Sequence, residues 1–150
     1  MPKSQIPVTH KAPTLGFLPS TGQGGITAVG NVFFVDSGST TRADTPAHGK
    51  RPDKPFSTLD YAVGQTTASN GDMIFVAPGH TETIAAATGV NIDVAGVRVI
   101  GLGAGSDRPT FSYTAVASTM GLAAVNVSIE NCIFDLTGID AVTTAFSISA

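Results

Sequence analysis

The chain has 150 residues, of which 42% are hydrophobic and 13% charged, and its formal net charge is −3. This length suits one domain with an attached arm and excludes a second full domain. The low charge, without clustered lysine and arginine, excludes a general nucleic-acid-binding role and leaves little material for long solvated helices.

Residues 1–29 contain four of the nine prolines and the cluster "TGQGG", and they show no sustained hydrophobic period. This composition predicts an extended N-terminal arm. A disordered tail is the alternative for the free chain, but the large apolar residues favour an arm that orders on a partner. The segment contains two lysines and no acidic residue, which would suit binding to an acidic surface. The residues predicted to bind that partner are Ile6, Val8, Lys11, Leu15, Phe17 and Leu18.

The hydrophobic pattern changes at Gly30, where "NVFFVDSG" predicts a short strand that runs into a turn. Polar residues and prolines predict a loop over residues 37–55. The segment "FSTLDYAV" predicts a short helix with Ser57 or Thr58 as its N-cap. After the turn "NGD", the segment "MIFVAPG" predicts a strand that stops at a Pro-Gly pair.

Two later segments repeat each other at a constant offset. The segment "VNIDVAGVRVIGLG" aligns with "MGLAAVNVSIENC", and the equivalent apolar residues of the two segments are 30 positions apart. A strand-and-corner period of this size indicates a solenoid whose coils bury their apolar sides against each other. An Asp in place of Val127 is then expected to be severely destabilising. The predicted coil-stacking residues are Ile92, Val94, Val97, Val99, Leu122, Val127 and Ile129.

The segments "FFVDSG", "DKPFSTLDYAV", "NGDMIFVAPGHTETI" and "VRVIGLG" resemble the entry of right-handed parallel β-helix proteins of the pectate-lyase-like superfamily, in the version found in bacteriophage virion proteins. The resemblance implies an all-β fold, a right-handed parallel β-helix with a short N-terminal capping helix, preceded by the extended arm. It divides the chain into an arm, residues 1–29, and a capped β-helix portion, residues 30–150. Residues 53–84 would plug the first coil.

Five residues between positions 36 and 80 are candidates for catalysis or metal binding. His80 follows a strand end, where an exposed imidazole could act as a base, although a turn histidine bonded to backbone is commoner. Asp36, Asp44, His48 and Asp53 share a polar region in which a cation site is imaginable, and a solvated loop is the simpler interpretation. We expect no metal, no cofactor and no catalytic residue.

The repeat region offers four further charged residues, Asp93, Arg98, Glu130 and Asp135. Glycosidases need two carboxylates about 5 to 9.5 Å apart, and no two acids hold matching places in the aligned copies, so an enzyme is not expected. Asn131 and Cys132 are interpreted as packing residues. The segment "GLGAGS" is interpreted as a coil corner, since no helix is predicted after it.

The resemblance leads to a functional expectation: a capsid decoration or head-fibre subunit of a phage virion. It would be anchored to the major capsid protein or another virion protein by its arm, with its β-helix projecting, and would form a homotrimer. The first alternative is a tailspike-type protein that binds or degrades a host glycan. The second is a secreted adhesin, which the missing signal peptide disfavours. The N-terminus lacks the apolar core of a signal peptide, so synthesis in the host cytoplasm is expected. "FSISA" begins a third copy and predicts an open stack at Ala150 that other residues or subunits cover.

Overall fold

Residues 30–149 are described by a computed structural model of the chain. The predicted arm and its six partner-binding residues, from Ile6 to Leu18, lie outside the described residues. Within residues 30–149 the chain forms ten short strands, one α-helix and one 3-10 turn, Gly105–Asp107. The elements are β1 (Val32–Val35), α1 (Leu59–Val63), β2 (Met73–Val76), β3 (Thr81–Ile84), β4 (Val90–Ile92), β5 (Arg98–Gly101), β6 (Thr110–Tyr113), β7 (Met120–Leu122), β8 (Ser128–Glu130), β9 (Ile133–Asp135) and β10 (Phe146–Ile148).

The strands form three sheets in which all neighbours are parallel. The first sheet has the order β1-β2-β5-β8, the second β3-β6-β9 and the third β4-β7-β10. From β2 onward the chain therefore visits the three sheets in turn, and we call each such circuit a coil. None of the sheets closes on itself. The described chain is thus mostly β, with parallel strands and little helix, which agrees with the all-β expectation.

The predicted offset of 30 residues appears in two sheets. Ile92 pairs with Leu122 in the third sheet, and Val99 pairs with Ile129 in the first. The corners match as well, because Gly96 and Asn126, 30 positions apart, both have positive φ. Other steps have different lengths, since β10 pairs with β7 at 26 positions, from Met120 to Phe146.

The core lies between the sheets. Within the first sheet, Phe33, Ile74 and Val99 occupy one register row, and all three are buried. Their alternation with outward residues follows from the two-residue period of a strand. Of the predicted stacking residues, Ile92, Val97 and Val99 are fully buried. Four pack against the core while only partly buried: Val94, Leu122, Val127 and Ile129.

Helix α1 covers the front end of the stack. Thr58 is its N-cap, in an extended conformation, and its hydroxyl accepts a hydrogen bond from the Tyr61 N–H. Leu59, Ala62 and Val63 turn a buried face inward, and α1 contacts β4, β1 and β2. The helix therefore occupies the place beside β4 where a preceding strand would otherwise lie.

Two strands were not assigned from the sequence. β3 reads Thr-Glu-Thr-Ile, and only Ile84 of its four residues is buried. β9 has three half-buried residues. Three of the four residues of β3 are polar, and β9 is only three residues long, so neither shows the apolar run that identifies a strand by its composition. In the structure both pair with β6, and Phe134 of β9 stacks on Phe111 with the ring centroids 5.9 Å apart. The segment after "GLG" also contains a 3-10 turn that was not predicted.

Candidate functional site

The three strands at the front edge of the stack, β1, β3 and β4, are hydrogen-bonded to residues 36–60. The loop pairs with β1, since Phe34 donates to the Gly49 carbonyl at 2.7 Å and accepts from the Phe56 N–H at 2.9 Å. On β3, the Thr81 N–H donates to the Ser37 hydroxyl at 2.9 Å. On β4, the Asn91 N–H donates to the Asp60 carboxylate at 2.9 Å. Unpaired strand edges are templates for association, so these contacts seal the front end.

We call residues 36–60 together with His80 and β3 the cap. Its polar centre consists of the side chains of His80 and Glu82 and the backbone N–H groups of Ser37 and Leu59. His80 is fully buried, and its Nδ1 accepts a hydrogen bond from the Ser37 N–H at 2.9 Å. Nδ1 is therefore unprotonated, and the ring proton on Nε2 faces the Glu82 carboxylate at 3.2 Å. The same carboxylate oxygen accepts from the Leu59 N–H at 2.9 Å, at the start of α1. These bonds join the loop, the helix and β3.

This geometry corrects the hypothesis of an exposed base at His80. Both ring nitrogens have partners within the cap, and the imidazole lies against the Phe111 ring at a centroid distance of 5.9 Å. Sequence reasoning missed Glu82, although a signal was available. Glu82 stands two positions before the buried Ile84 on the same strand, and that spacing places both side chains on the inward face.

The predicted polar loop divides its charged residues among separate contacts. Asp44 accepts from the N–H groups of Ser57 and Thr58 and from the Thr58 hydroxyl, so it organises the helix start. Asp53 pairs with Arg51 at 2.9 Å, in an exposed position. The hydrogen bond from Arg51 is the largest influence on the pKa of Asp53 and lowers it.

The other two loop residues also have local partners. Asp36 accepts from the Gly38 N–H, and His48 Nδ1 lies 2.8 Å from the Thr45 hydroxyl. Within residues 30–149, no three side chains of the metal-ligating types come together to hold an ion. The imagined cation site on Asp36, Asp44, His48 and Asp53 is therefore not assembled.

The charged residues of the repeat region lie on outer faces. Arg98 pairs with Glu130 at 2.8 Å, and both side chains are partly exposed. In the strand register Arg98 lies opposite Ser128, and Glu130 lies opposite Ile100. Asp135 accepts from the hydroxyl and the N–H of Thr137, and the hydroxyl bond is the main cause that lowers its pKa. Asp93 is close to the Asn91 amide.

Asn131 and Cys132 have contacts of a structural kind. The Asn131 side-chain amide donates to the carbonyls of Gly101 and Gly103, at 2.8 and 3.0 Å. It thereby ties one coil to the preceding one. Burial raises the pKa of the Cys132 thiol to about 11, which keeps it protonated at neutral pH. Asn131 therefore acts through hydrogen bonds between coils, and Cys132 packs against the core.

The outer end of the stack differs from the sealed front. β8, β9 and β10 each have a strand neighbour on one side, and the hydrogen bonds among residues 30–149 provide no backbone partner on the other. Apolar side chains are exposed nearby, with Ile148 at 75%. No α-helix among the described residues is long and apolar enough to cross a bilayer.

Comparison of the chain with protein-family models, with curated proteins and with solved structures found no match.

Proposed function

We propose that residues 30–150 form the first coils of a right-handed parallel β-helix, with α1 as its cap. The supporting observation is the order of the strands, which pass through three parallel sheets in a fixed sequence. Parallel strands of one sheet joined by a crossover connection are almost always right-handed. A stack of this kind, sealed at the front, is a rigid rod, and a rod suits a projecting structural element.

We propose further that the protein is a bacteriophage virion structural protein, a capsid decoration or head-fibre subunit. It is made in the host cytoplasm and located at the virion surface. Residues 1–29 anchor it to the major capsid protein or another virion protein, and the β-helix projects outward. The observation that supports this proposal is the closed front end of the stack. His80 and Glu82, the polar pair located there, bind backbone N–H groups of the loop and of α1, which suits a structural role rather than contact with a substrate.

Three copies associate in this proposal. The supporting observations are the outer edges of β8, β9 and β10 and the exposed apolar side chains beside them. Such edges recruit a further strand or a partner surface. Light scattering of the full chain across concentration tests this part, with a trimer mass expected. A monomer mass at every concentration would contradict it.

Binding to capsids tests the anchoring role. The full chain would be mixed with purified capsids that lack it, and the bound fraction measured by sedimentation. The variant with Ile6→Asp and Val8→Asp should bind at least about tenfold more weakly, because two charges replace apolar anchor residues. Val116→Asp is the matched control, since Val116 is an exposed apolar residue of the stack. Equal binding of all three proteins would contradict the arm as anchor.

A tailspike-type role in binding or cleaving a host glycan is the second candidate. The observation in its favour is the Arg98–Glu130 pair on the outer face of the first sheet. A cation and a carboxylate side by side can engage sugar hydroxyls. Incubation with host surface polysaccharide, followed by measurement of new reducing ends and of binding, tests this role. Activity that is lost in Glu130→Gln would favour it over the structural role.

A further inference from the structure

An apolar groove of about 280 Å³ lies on the outer side of the first sheet, at the C-terminal ends of β1 and β2. The rings of Phe34 and Phe75 stack there with their centroids 6.0 Å apart. Leu102, 39% exposed, forms another part of the lining. Three prolines complete the wall: Pro52, Pro55 and Pro78. The charged residue in the lining is Asp36, at its edge.

The walls of this groove are held in place by the backbone. Phe34 and Phe75 are register partners, and Phe34 is also bonded to the loop through Gly49 and Phe56. The Leu102 N–H donates to the Val76 carbonyl at 2.9 Å. Proline rings restrict the loop further. A preformed apolar groove costs little ordering entropy when it is filled, so it favours an occupant with large apolar side chains.

The size of the groove limits what it can hold. An engineered apolar cavity of about 150 Å³ binds one benzene ring, so this groove has room for about two side chains of that size. A typical site for a drug-sized ligand is larger, about 300 to 1,000 Å³. The groove therefore fits a short apolar peptide segment better than a cofactor.

We propose that residues 15–19, "LGFLP", of the same chain dock in this groove in the free protein, with Phe17 and Leu18 as the side chains that enter it. These are adjacent large apolar residues followed by a proline. Residues 1–29 contain Lys3 and Lys11 and no acid, which suits the carboxylate of Asp36 at the edge of the groove.

The connection is long enough for this docking. Gly30 lies against the turn that contains Asn70 and Asp72, beside the start of β1. Phe34 is four residues further along β1, a distance of about 13 Å. The twelve residues from Leu18 to Gly30 can span about 40 Å when extended. A tether of this length gives an effective concentration in the millimolar range, so a weak contact is sufficient.

The inference does not depend on attachment to a capsid, because it concerns the free protein. If the anchoring proposal also holds, groove and capsid compete for the same arm. The two proposals fail separately: docking is tested without capsids, and the anchoring test changes Ile6 and Val8 rather than Phe17 and Leu18.

Limited chymotrypsin digestion of the full chain tests the docking. Cleavage after Phe17 should be slow in the wild type and about tenfold faster in Leu102→Asp, because proteolysis follows the population of the undocked segment. Val116→Asp is the matched control, an exposed apolar residue that does not line the groove, and it should cleave like the wild type. Equal rates in all three proteins would overturn the proposal.

A cross-link provides a second measurement that does not depend on the stability of Leu102→Asp. In a Cys132→Ser background, Gly16→Cys combined with Leu102→Cys should form a disulfide within one chain, since bonding requires Cα atoms within about 7 Å. Gly16→Cys combined with Val116→Cys should not. An absent cross-link in the first pair would overturn the proposal. A cross-link between two chains, which increases with concentration, would assign the groove to a neighbouring copy's arm and would overturn it too.

Discussion

Two regions of the stack are built from similar strands and differ in how they are closed. We call residues 30–113 the capped part and residues 122–149 the outer layer. In the capped part Phe33 is 3% exposed, whereas no residue of the outer layer is buried and Ile148 is 75% exposed. Strands with matching register therefore differ in burial because of what lies on each side of them.

Polar residues show the same contrast. In the capped part Asp72 and Glu82 direct their carboxylates at backbone N–H groups that would otherwise be unsatisfied. In the outer layer Glu130 pairs with the exposed Arg98, and Asp135 with the neighbouring Thr137. Carboxylates that satisfy buried backbone donors contribute much more to stability than exposed pairs. The difference between the regions can therefore be tested with matched substitutions.

The largest effect is expected for a charge placed in the core. Val97 and Val127 are 30 positions apart, but Val97 is fully buried and Val127 only partly. Val97→Asp should cost about 4 kcal/mol or more, because that charge loses all water. For Val127→Asp the structure revises the severe effect expected from the repeat to about 1 to 2 kcal/mol, since Val127 is only partly buried. Urea unfolding of both variants measures the difference. The repeat alone predicts equal damage, so equal losses would show that the outer layer is as dry as the capped part.

The second comparison concerns the loss of stability at low pH, for Asp72 in the capped part and Asp135 in the outer layer. Burial, the largest single influence, raises the pKa of Asp72, but hydrogen bonds from Thr67, Asn31 and Asn70 outweigh it and hold the pKa below its ordinary value. The stability contributed by this group is complete above about pH 4, the unfolded value, and is lost as the pH falls through the folded pKa. Asp72→Asn should flatten that loss and cost about 2 to 3 kcal/mol at neutral pH.

Asp135→Asn is the matched variant in the outer layer. Its carboxylate also has a lowered pKa, but its partner Thr137 is exposed and water can replace it. The unfolding free energy of this variant, measured from neutral pH to below pH 4, should follow the wild type closely. If the two variants have the same pH profile, the Asp72 hydrogen bonds are not the source of acid sensitivity.

The smallest contrast concerns two glutamates. Glu82→Gln should cost about 1 to 2 kcal/mol, because a neutral amide replaces a carboxylate that accepts from Leu59 and faces His80. Glu130→Gln should cost less than about 1 kcal/mol, and high salt should reduce even that effect. Thermal unfolding at low and high salt separates the two. A salt-sensitive loss in Glu82→Gln would mean that water enters the cap.

Much of the fold could be predicted from local pattern. The strand "VFFV" and the match between Ile92 and Leu122 follow from short-range hydrophobic periods, which indicate whether a side chain points inward or outward. The Thr58 cap follows from the residue types at the start of the helix. β3 and β9 could not be found this way, since three of the four residues of β3 are polar and β9 has only three residues. The cap at His80 and Glu82 was also missed, because its members come from loop, helix and strand.

The sequence by itself determined the strand-rich character, the short capping helix and one coil of 30 residues. Only the tertiary structure decided which polar side chains seal the front edges and how deeply each copy of the 30-residue sequence repeat is buried. It also decided where the groove of Phe34, Phe75 and Leu102 forms. The physical reason is that coil lengths vary: paired residues are 41 positions apart from Val32 to Met73 and 23 apart from Thr110 to Ile133. A local period specifies which way a side chain faces, whereas its neighbour across a coil depends on every loop between them.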